Sequence, residues 1–265
     1  MGKDFALLLD LDGVLVKNKN LDLFDDTLSF FRFLREKNIP FKVVSNNSRI
    51  PPEEIRKKLA QKGIELKEEE LLTALKVAPS YLKRFKSVYA LAEDRVKDYL
   101  RQNGINVVED YNAEAVFVAQ DKTINFEKVK NATTALRLRG AKLVAVNLNK
   151  LAKDTDGLFY PATGSWVQLL AHATDYPPEE IVSLGKPSKE FFKKALEGFE
   201  GKEIYFASDD FYTDLIPAEE FGFKTLFMTT GKYSVQDLEK ANYKPFRVFD
   251  SLTRLKEFIE KELLS

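Results

Sequence analysis

The chain has 265 residues, 44% of them hydrophobic, enough for one large domain or two modest ones with real cores. Its 41 basic and 41 acidic residues cancel to a formal net charge of zero, which leaves no electrostatic footprint for nucleic acid or an anionic membrane surface. Cysteine is absent, excluding disulfides, thiolate catalysis and cysteine-ligated metals; no stretch approaches the ~18 uninterrupted apolar residues of a membrane span, so a cytoplasmic protein is expected.

Residues 5–11, "FALLLDL", read as a buried strand that runs into Asp10, Asp12 and Gly13. From Asp25, "DDTLSFFRFLREKN" sets apolar residues at 28, 30, 31, 33 and 34 on a helical period. "PFKVVSNNS" supplies a second strand ending in a polar turn. "PPEEIRKKLAQKG" follows as a helix with prolines before it, Glu53 and Glu54 in its first turn and Gly63 as its stop. The middle of the chain carries strands at 87–92, 115–120 and 142–147, alternating with helices at about 94–103, 125–139 and 164–175. The pattern resumes with strands "EIYFAS" at 203–208 and "KTLFMTT" at 224–230, and "SLTRLKEFIEKELL" closes as an amphipathic helix. Strand and helix in alternation specify a parallel α/β sheet. The expected organisation is a core domain over 1–75 and 182–265, with a second α/β domain inserted over 76–181.

Ligands of open α/β sheets bind beyond the carboxyl ends of the strands. Four groups stand there: Asp10 and Asp12 after the first strand, Ser45 and Asn46 after the second, Lys186 after "EEIVSLG", and Asp209, Asp210 and Asp214 after "EIYFAS". Residues at i and i+2 of an extended chain project the same way, so Asp10 and Asp12 are expected close together, a repulsion that a cation would relieve. Oxygen ligands without His or Cys suit Mg²⁺, which takes one or two carboxylates together with phosphate oxygens and water. The charge of Lys186 and the hydroxyl and amide of Ser45 and Asn46 suit a phosphoryl group. Phosphate monoesters hydrolyse extremely slowly unaided, so a nucleophile acting with a metal makes chemical sense.

In order along the chain, Asp10-Leu-Asp12-Gly-Val-Leu, Ser45-Asn46-Asn47-Ser48 followed by Pro52-Glu-Glu, Gly185-Lys186-Pro187-Ser188, and Asp209 to Asp214 with Thr213 before the last acid resemble the motifs of haloacid dehalogenase superfamily phosphatases of the NagD-like or 4-nitrophenylphosphatase-like branch. The resemblance spans essentially the whole chain. It implies a Rossmann-like parallel-sheet core, with the inserted piece as a large α/β cap that closes over the site and helps select substrate. It also implies Asp10 as the nucleophile that forms an aspartyl-phosphate and Asp12 as the general acid and base. Mg²⁺ would be held by the Asp10 carboxylate, the Asp12 backbone carbonyl and Asp209, with Asp214 supporting them. Ser45, Asn46 and Lys186, with Asn147 from the cap, would bind substrate. Asn147 matches the family's Thr-Asn-Pro-Asp turn, and Gly157 to Gly164 its Pro- and Gly-bearing loop. The expected partner is a small phosphorylated metabolite, and a cap surface could support a homodimer.

The chain departs from this branch in three places. Ser208-Asp209-Asp210 replaces Gly-Asp-Arg, the cap turn Val146-Asn147-Leu148-Asn149 lacks its proline and acid, and Ala119-Gln120-Asp121 lacks the usual glycine. The proposed catalytic groups are intact, so the departures bear on substrate range and turnover. Two alternatives stand beside a phosphatase: a weakened phosphate-ligand binding protein, against which Asp12 argues, and a phosphoryl-transfer enzyme of the same superfamily. A signalling receiver shares the acid pair and a distant lysine but has no inserted domain. Plainer roles compete for single residues, since Asp-Gly makes a good strand-end bend and Ser45 or Asn46 could cap a turn before Pro51. His172, the only histidine, is read as a packing residue on a helix with Trp166, Leu169 and Leu170.

Overall fold

The structure, a computed structural model, describes residues 4–265. The first half alternates β1 (Phe5–Asp10), α1 (Thr27–Glu36), β2 (Phe41–Ser45), α2 (Pro52–Gln61), β3 (Leu71–Thr73), α3 (Ala74–Leu82), β4 (Val88–Leu91), α4 (Asp94–Gln102), β5 (Val107–Val108), β6 (Ala115–Val118) and α5 (Phe126–Leu138). There follow β7 (Lys142–Ala145), β8 (Leu151–Lys153), β9 (Phe159–Pro161), α6 (Thr163–Thr174), β10 (Val182–Ser183), α7 (Lys189–Ala195), β11 (Glu203–Ser208), α8 (Ile216–Ala218), β12 (Lys224–Met228), α9 (Val235–Lys240), β13 (Arg247–Phe249) and α10 (Leu252–Phe258).

These elements form two compact units. One comprises the chain up to Ser45 with Glu53–Leu72 and Phe192–Ser265; the other comprises Asn46–Pro52 with Thr73–Phe191. Beside the expected insert at 76–181, the second unit begins slightly earlier, runs on past Lys186 and takes in the short segment 46–52. Hydrogen bonds from Asn46 to Lys186 and from Asn147 to Asn46 tie that segment in.

In the first unit the sheet order is β13-β12-β11-β1-β2-β3, with parallel pairing from β13 through β2. Counted within this sheet the order is 3-2-1-4-5-6, the Rossmann arrangement, and it reverses between β1 and β11. β1 is buried along its whole length, as an apolar run covered on both faces must be. α1 explains its own spacing: Phe30, Phe31, Phe33 and Leu34 are buried, and Phe31 meets Phe41 edge-on at 5.5 Å. On the other side of β1, Phe192 of α7 packs edge-on against Phe206 and Phe223, with ring centroids 6.0 and 5.5 Å away. Lys42, a lysine in a buried strand, finds its acceptors where α7 ends, its Nζ donating to the carbonyls of Ala195 and Glu197.

The second unit holds a five-stranded parallel sheet, β10-β7-β6-β4-β5, whose order reverses between β4 and β6. Its core gathers Leu91, Val116, Val118 and Leu143 from the strands with Ala132, Leu136, Val167 and Leu170 from α5 and α6. An ion pair lies just past the ends of β4 and β6, where Lys128 Nζ also donates to Ala92 O at 3.4 Å. The buried Asp121 carboxylate accepts from Lys128 Nζ at 2.9 Å and from the Thr123 N–H and hydroxyl at 2.7 and 2.5 Å. β8 and β9 form a separate antiparallel ribbon.

β6, β7 and β12 are shorter than their apolar runs suggest, because the last residues of those runs leave the sheet to build carboxyl-end turns, whereas β11 spans the whole of 203–208. Past α10 the closing helix widens into a π-helical turn at Ile259–Leu263. His172 corrects an expectation: it is exposed in the last turn of α6, where a basic side chain meets the helix carbonyl end, and it does not pack in the core. Among the described residues no helix is long and apolar enough to cross a membrane.

Candidate active site

The strand-order reversal sets two strand ends side by side. Leu9 pairs with Ala207, so Asp10 and Ser208 close β1 and β11 next to each other. Asp10 is only 5% exposed, drawn in by the apolar strand that it ends. Ser208 Oγ lies 2.6 Å from Asp214 Oδ2 and 3.3 Å from Asp10 Oδ2, and it accepts the Asp210 N–H at 3.0 Å. A hydroxyl has one proton to give, and the short bond directs it to Asp214. Ser208 thus ties the buried Asp214 to the strand end beside Asp10.

Asp214 stands on a wide π-helical turn, Phe211–Leu215, whose first residues are capped by Asp210: its Oδ1 accepts the Thr213 N–H at 2.9 Å. The Asp210 Oδ2 faces Lys232 Nζ at 3.2 Å. Burial works against the Lys232 charge, but Asp210 and Asp209 outweigh it and hold the ammonium above the usual lysine range.

Asp209 occupies a cradle made by two glycines. A Cβ at Gly13 or at Gly231 would lie 2.1 Å from its Oδ2, so no other residue fits at either position without moving the carboxylate. The Lys232 N–H donates to that oxygen at 2.8 Å, and the Thr230 hydroxyl fastens the two loops by donating to the Gly13 carbonyl at 2.6 Å.

Asp12 stands beyond the strand end, exposed in a tight loop where Gly13 N–H donates to Val16 O at 2.8 Å and the Leu15 and Val16 N–H groups return to Leu11 O. Gly13 takes a φ of +78°, which a glycine adopts without strain. Ser45, fully buried, closes β2 on the other side of β1, where Leu11 N–H donates to Val44 O at 3.0 Å.

Among the described residues no three or more His, Cys, Asp or Glu are gathered as a metal-holding group. A cation here would draw on one or two carboxylates and complete its shell with carbonyl, water and phosphate oxygens, which is the habit of Mg²⁺. The buried Asp10, the glycine-cradled Asp209 and the all-oxygen donor set fit that ion.

The second unit brings the other predicted residues together. Lys186 is 5% exposed at the end of "VSLGK", just past β10. The Asn46 amide grips its backbone from both sides: Lys186 N–H donates to Asn46 Oδ1 at 2.7 Å, and Asn46 Nδ2 donates to Lys186 O at 3.1 Å. Asn147 Nδ2 donates to the Asn46 carbonyl at 3.0 Å, while its Oδ1 accepts the Asn149 N–H at 3.1 Å. The Asx turn before Pro51 is made by Asn47, whose Oδ1 accepts from Arg49 and Ile50. Sequence reasoning missed Gly231 and Lys232. The signal was available, because "TGK" follows a strand of the same parallel sheet, and carboxyl-end loops of neighbouring strands share one edge.

Comparison with known proteins agrees with this architecture. The chain matches the haloacid dehalogenase-like hydrolase family over residues 7–106 and a HAD-hydrolase-like family over residues 183–255. It is 28% identical to an acid sugar phosphatase of Staphylococcus aureus over 261 residues, covering 97% of this chain and 98% of that protein. A p-nitrophenyl phosphatase from Archaeoglobus fulgidus superposes with a TM-score of 0.86 at 28% identity, covering 96% of this chain and 99% of that one. A 4-nitrophenylphosphatase from Thermotoga maritima gives 0.85 at 26% identity, covering 95% and 96%.

Proposed function

We propose that this chain, a phosphoric monoester hydrolase that matches haloacid dehalogenase-like hydrolases over residues 7–106 and 183–255, cleaves small phosphate monoesters through an aspartyl-phosphate on Asp10. The observation that carries this reading is the buried Asp10 carboxylate at the strand-order reversal, with Ser208 Oγ 3.3 Å away and hydrogen-bonded to the buried Asp214.

An oxygen of Asp10 attacks phosphorus as the bond from phosphorus to the ester oxygen breaks. Asp12, exposed where a substrate can reach it, gives its proton to the departing oxygen. The same carboxylate then takes a proton from the water that attacks the aspartyl-phosphate, so inorganic phosphate leaves and both acids are restored. Such acid and base assistance contributes roughly 10² to 10⁴ in rate. Asp10, the Asp12 backbone carbonyl and Asp209 would hold Mg²⁺, with Asp214 supporting them through Ser208. When bound, that ion offsets negative charge on the phosphoryl oxygens. The Ser45 hydroxyl and the Lys186 ammonium receive the phosphoryl group.

The names of the relatives point toward sugar phosphates and 4-nitrophenyl phosphate as first substrates. A cytoplasmic setting belongs to the same reading, supported by a chain that needs no disulfide. So does a homodimer through the β8–β9 ribbon, which exposes Leu151, Leu158 and Phe159. Phosphate release from a panel of sugar, glycerol, nucleotide and 4-nitrophenyl phosphates, with Mg²⁺ and with chelator, tests the function. Mg²⁺-dependent release is expected; no release from any ester would overturn it.

A further inference from the structure

Lys186 is a buried lysine whose place is set by its backbone, and that backbone is held by another side chain. The Asn46 amide has one acceptor and one donor end, and both are committed to the Lys186 peptide groups, at 2.7 and 3.1 Å. The amide can face only one way, because the Lys186 N–H needs an oxygen and the Lys186 carbonyl needs an N–H. Asn147, 3% exposed, fixes Asn46 in turn by donating to its carbonyl, and is itself fixed by the Asn149 N–H. Gly185 allows the fit: a Cβ there would lie 2.8 Å from Asn46 Oδ1, 2.8 Å from Val146 O and 2.9 Å from Asn147 Cβ. Three segments of the second unit far apart in the chain, at Asn46, Asn147 and Gly185, are thus joined at one lysine.

We propose that Asn46 is a positioning residue for Lys186, locked by Asn147, and that neither asparagine binds the substrate directly. The proposal rests on the phosphatase reading, in which Lys186 meets the phosphoryl group. Since that group is common to every substrate, loosening the lysine weakens all substrates alike. A residue touching the leaving group would instead change their ranking.

The test is a double-mutant cycle with Asn46→Ala and Lys186→Ala, alone and combined, read by KM and kcat on 4-nitrophenyl phosphate and a sugar phosphate, and by calorimetric binding of inorganic phosphate. Asn46→Ala is expected to weaken phosphate binding about tenfold, the scale of one or two lost hydrogen bonds, by one factor for both substrates. In the Lys186→Ala background the same change is expected to add almost nothing. Should Asn46→Ala fail to fold, Asn147→Ala carries the same cycle, since it removes the lock and leaves the clamp atoms in place. Losses that multiply in the double variant, or a changed substrate ranking, would overturn the positioning role while leaving the phosphatase reading intact. A parent chain that neither releases nor binds phosphate would overturn that reading itself.

Discussion

Asp10 and Ser208 end neighbouring strands, with the serine hydroxyl 3.3 Å from the carboxylate. That hydroxyl is also the donor, at 2.6 Å, to the buried Asp214. Ser208→Ala removes a buried hydrogen bond, worth about 0.5–1.5 kcal/mol, and lets Asp214 shift. Chemical denaturation is expected to show a stability loss of that size, and phosphate release to slow with it. A variant as stable and as fast as the parent would show that the serine is only a filler.

The glycine cradle makes a sharper prediction for metal dependence. Gly231→Ala puts a methyl group 2.1 Å from where Asp209 Oδ2 now lies, so the carboxylate must move. Displacement of about an ångström can cost on the order of 10²-fold in rate. Turnover is expected to fall on that scale, and the rise in melting temperature on adding Mg²⁺ is expected to shrink. Unchanged values would separate Asp209 from the metal.

Glu70 ties the turn before β3 to α1 through both oxygens, 2.6 and 2.5 Å from Arg35. Burial pushes its carboxyl up, but the Arg35 bonds and the Lys67 N–H outweigh burial and hold it below the usual carboxylate range. A depressed carboxylate contributes stability that is fully present above its unfolded value of about 4.3 and is lost as pH falls through the folded value. Arg35 is 41% exposed, so solvent screens the pair and the effect is modest. Glu70→Gln is expected to melt below the parent at neutral pH, with the two melting curves converging in acid. A constant gap at every pH would assign the loss to packing.

The β8–β9 ribbon exposes Leu151 at 64% and Phe159 at 64%, residues of one ribbon face. If a second copy covers that face, light scattering will give a dimer for the parent and a monomer for Phe159→Asp. A monomeric parent contradicts the dimer.

Much of this arrangement was legible in the sequence where a property is local. The apolar run of β1 forces Asp10 to a buried strand end, and the periodic phenylalanines of α1 announce the face it buries. What escaped depends on partners far along the chain. Lys42 looks misplaced in a buried strand until the end of α7, 153 residues on, supplies its acceptors. Asn46 reads as a turn residue or phosphate ligand, and only its meeting with Lys186, 140 residues later, shows both ends of the amide engaged. His172 misled for the opposite reason: its neighbours Val167 and Leu170 are buried, but the helix turn carries the imidazole to solvent.

The central claim is that Asp10 is the nucleophile. Phosphate release by Asp10→Asn, measured with Mg²⁺ beside the parent and with melting curves to confirm the fold, tests it most directly. The account predicts a folded variant with no turnover; a folded variant that releases phosphate at the parental rate would contradict it.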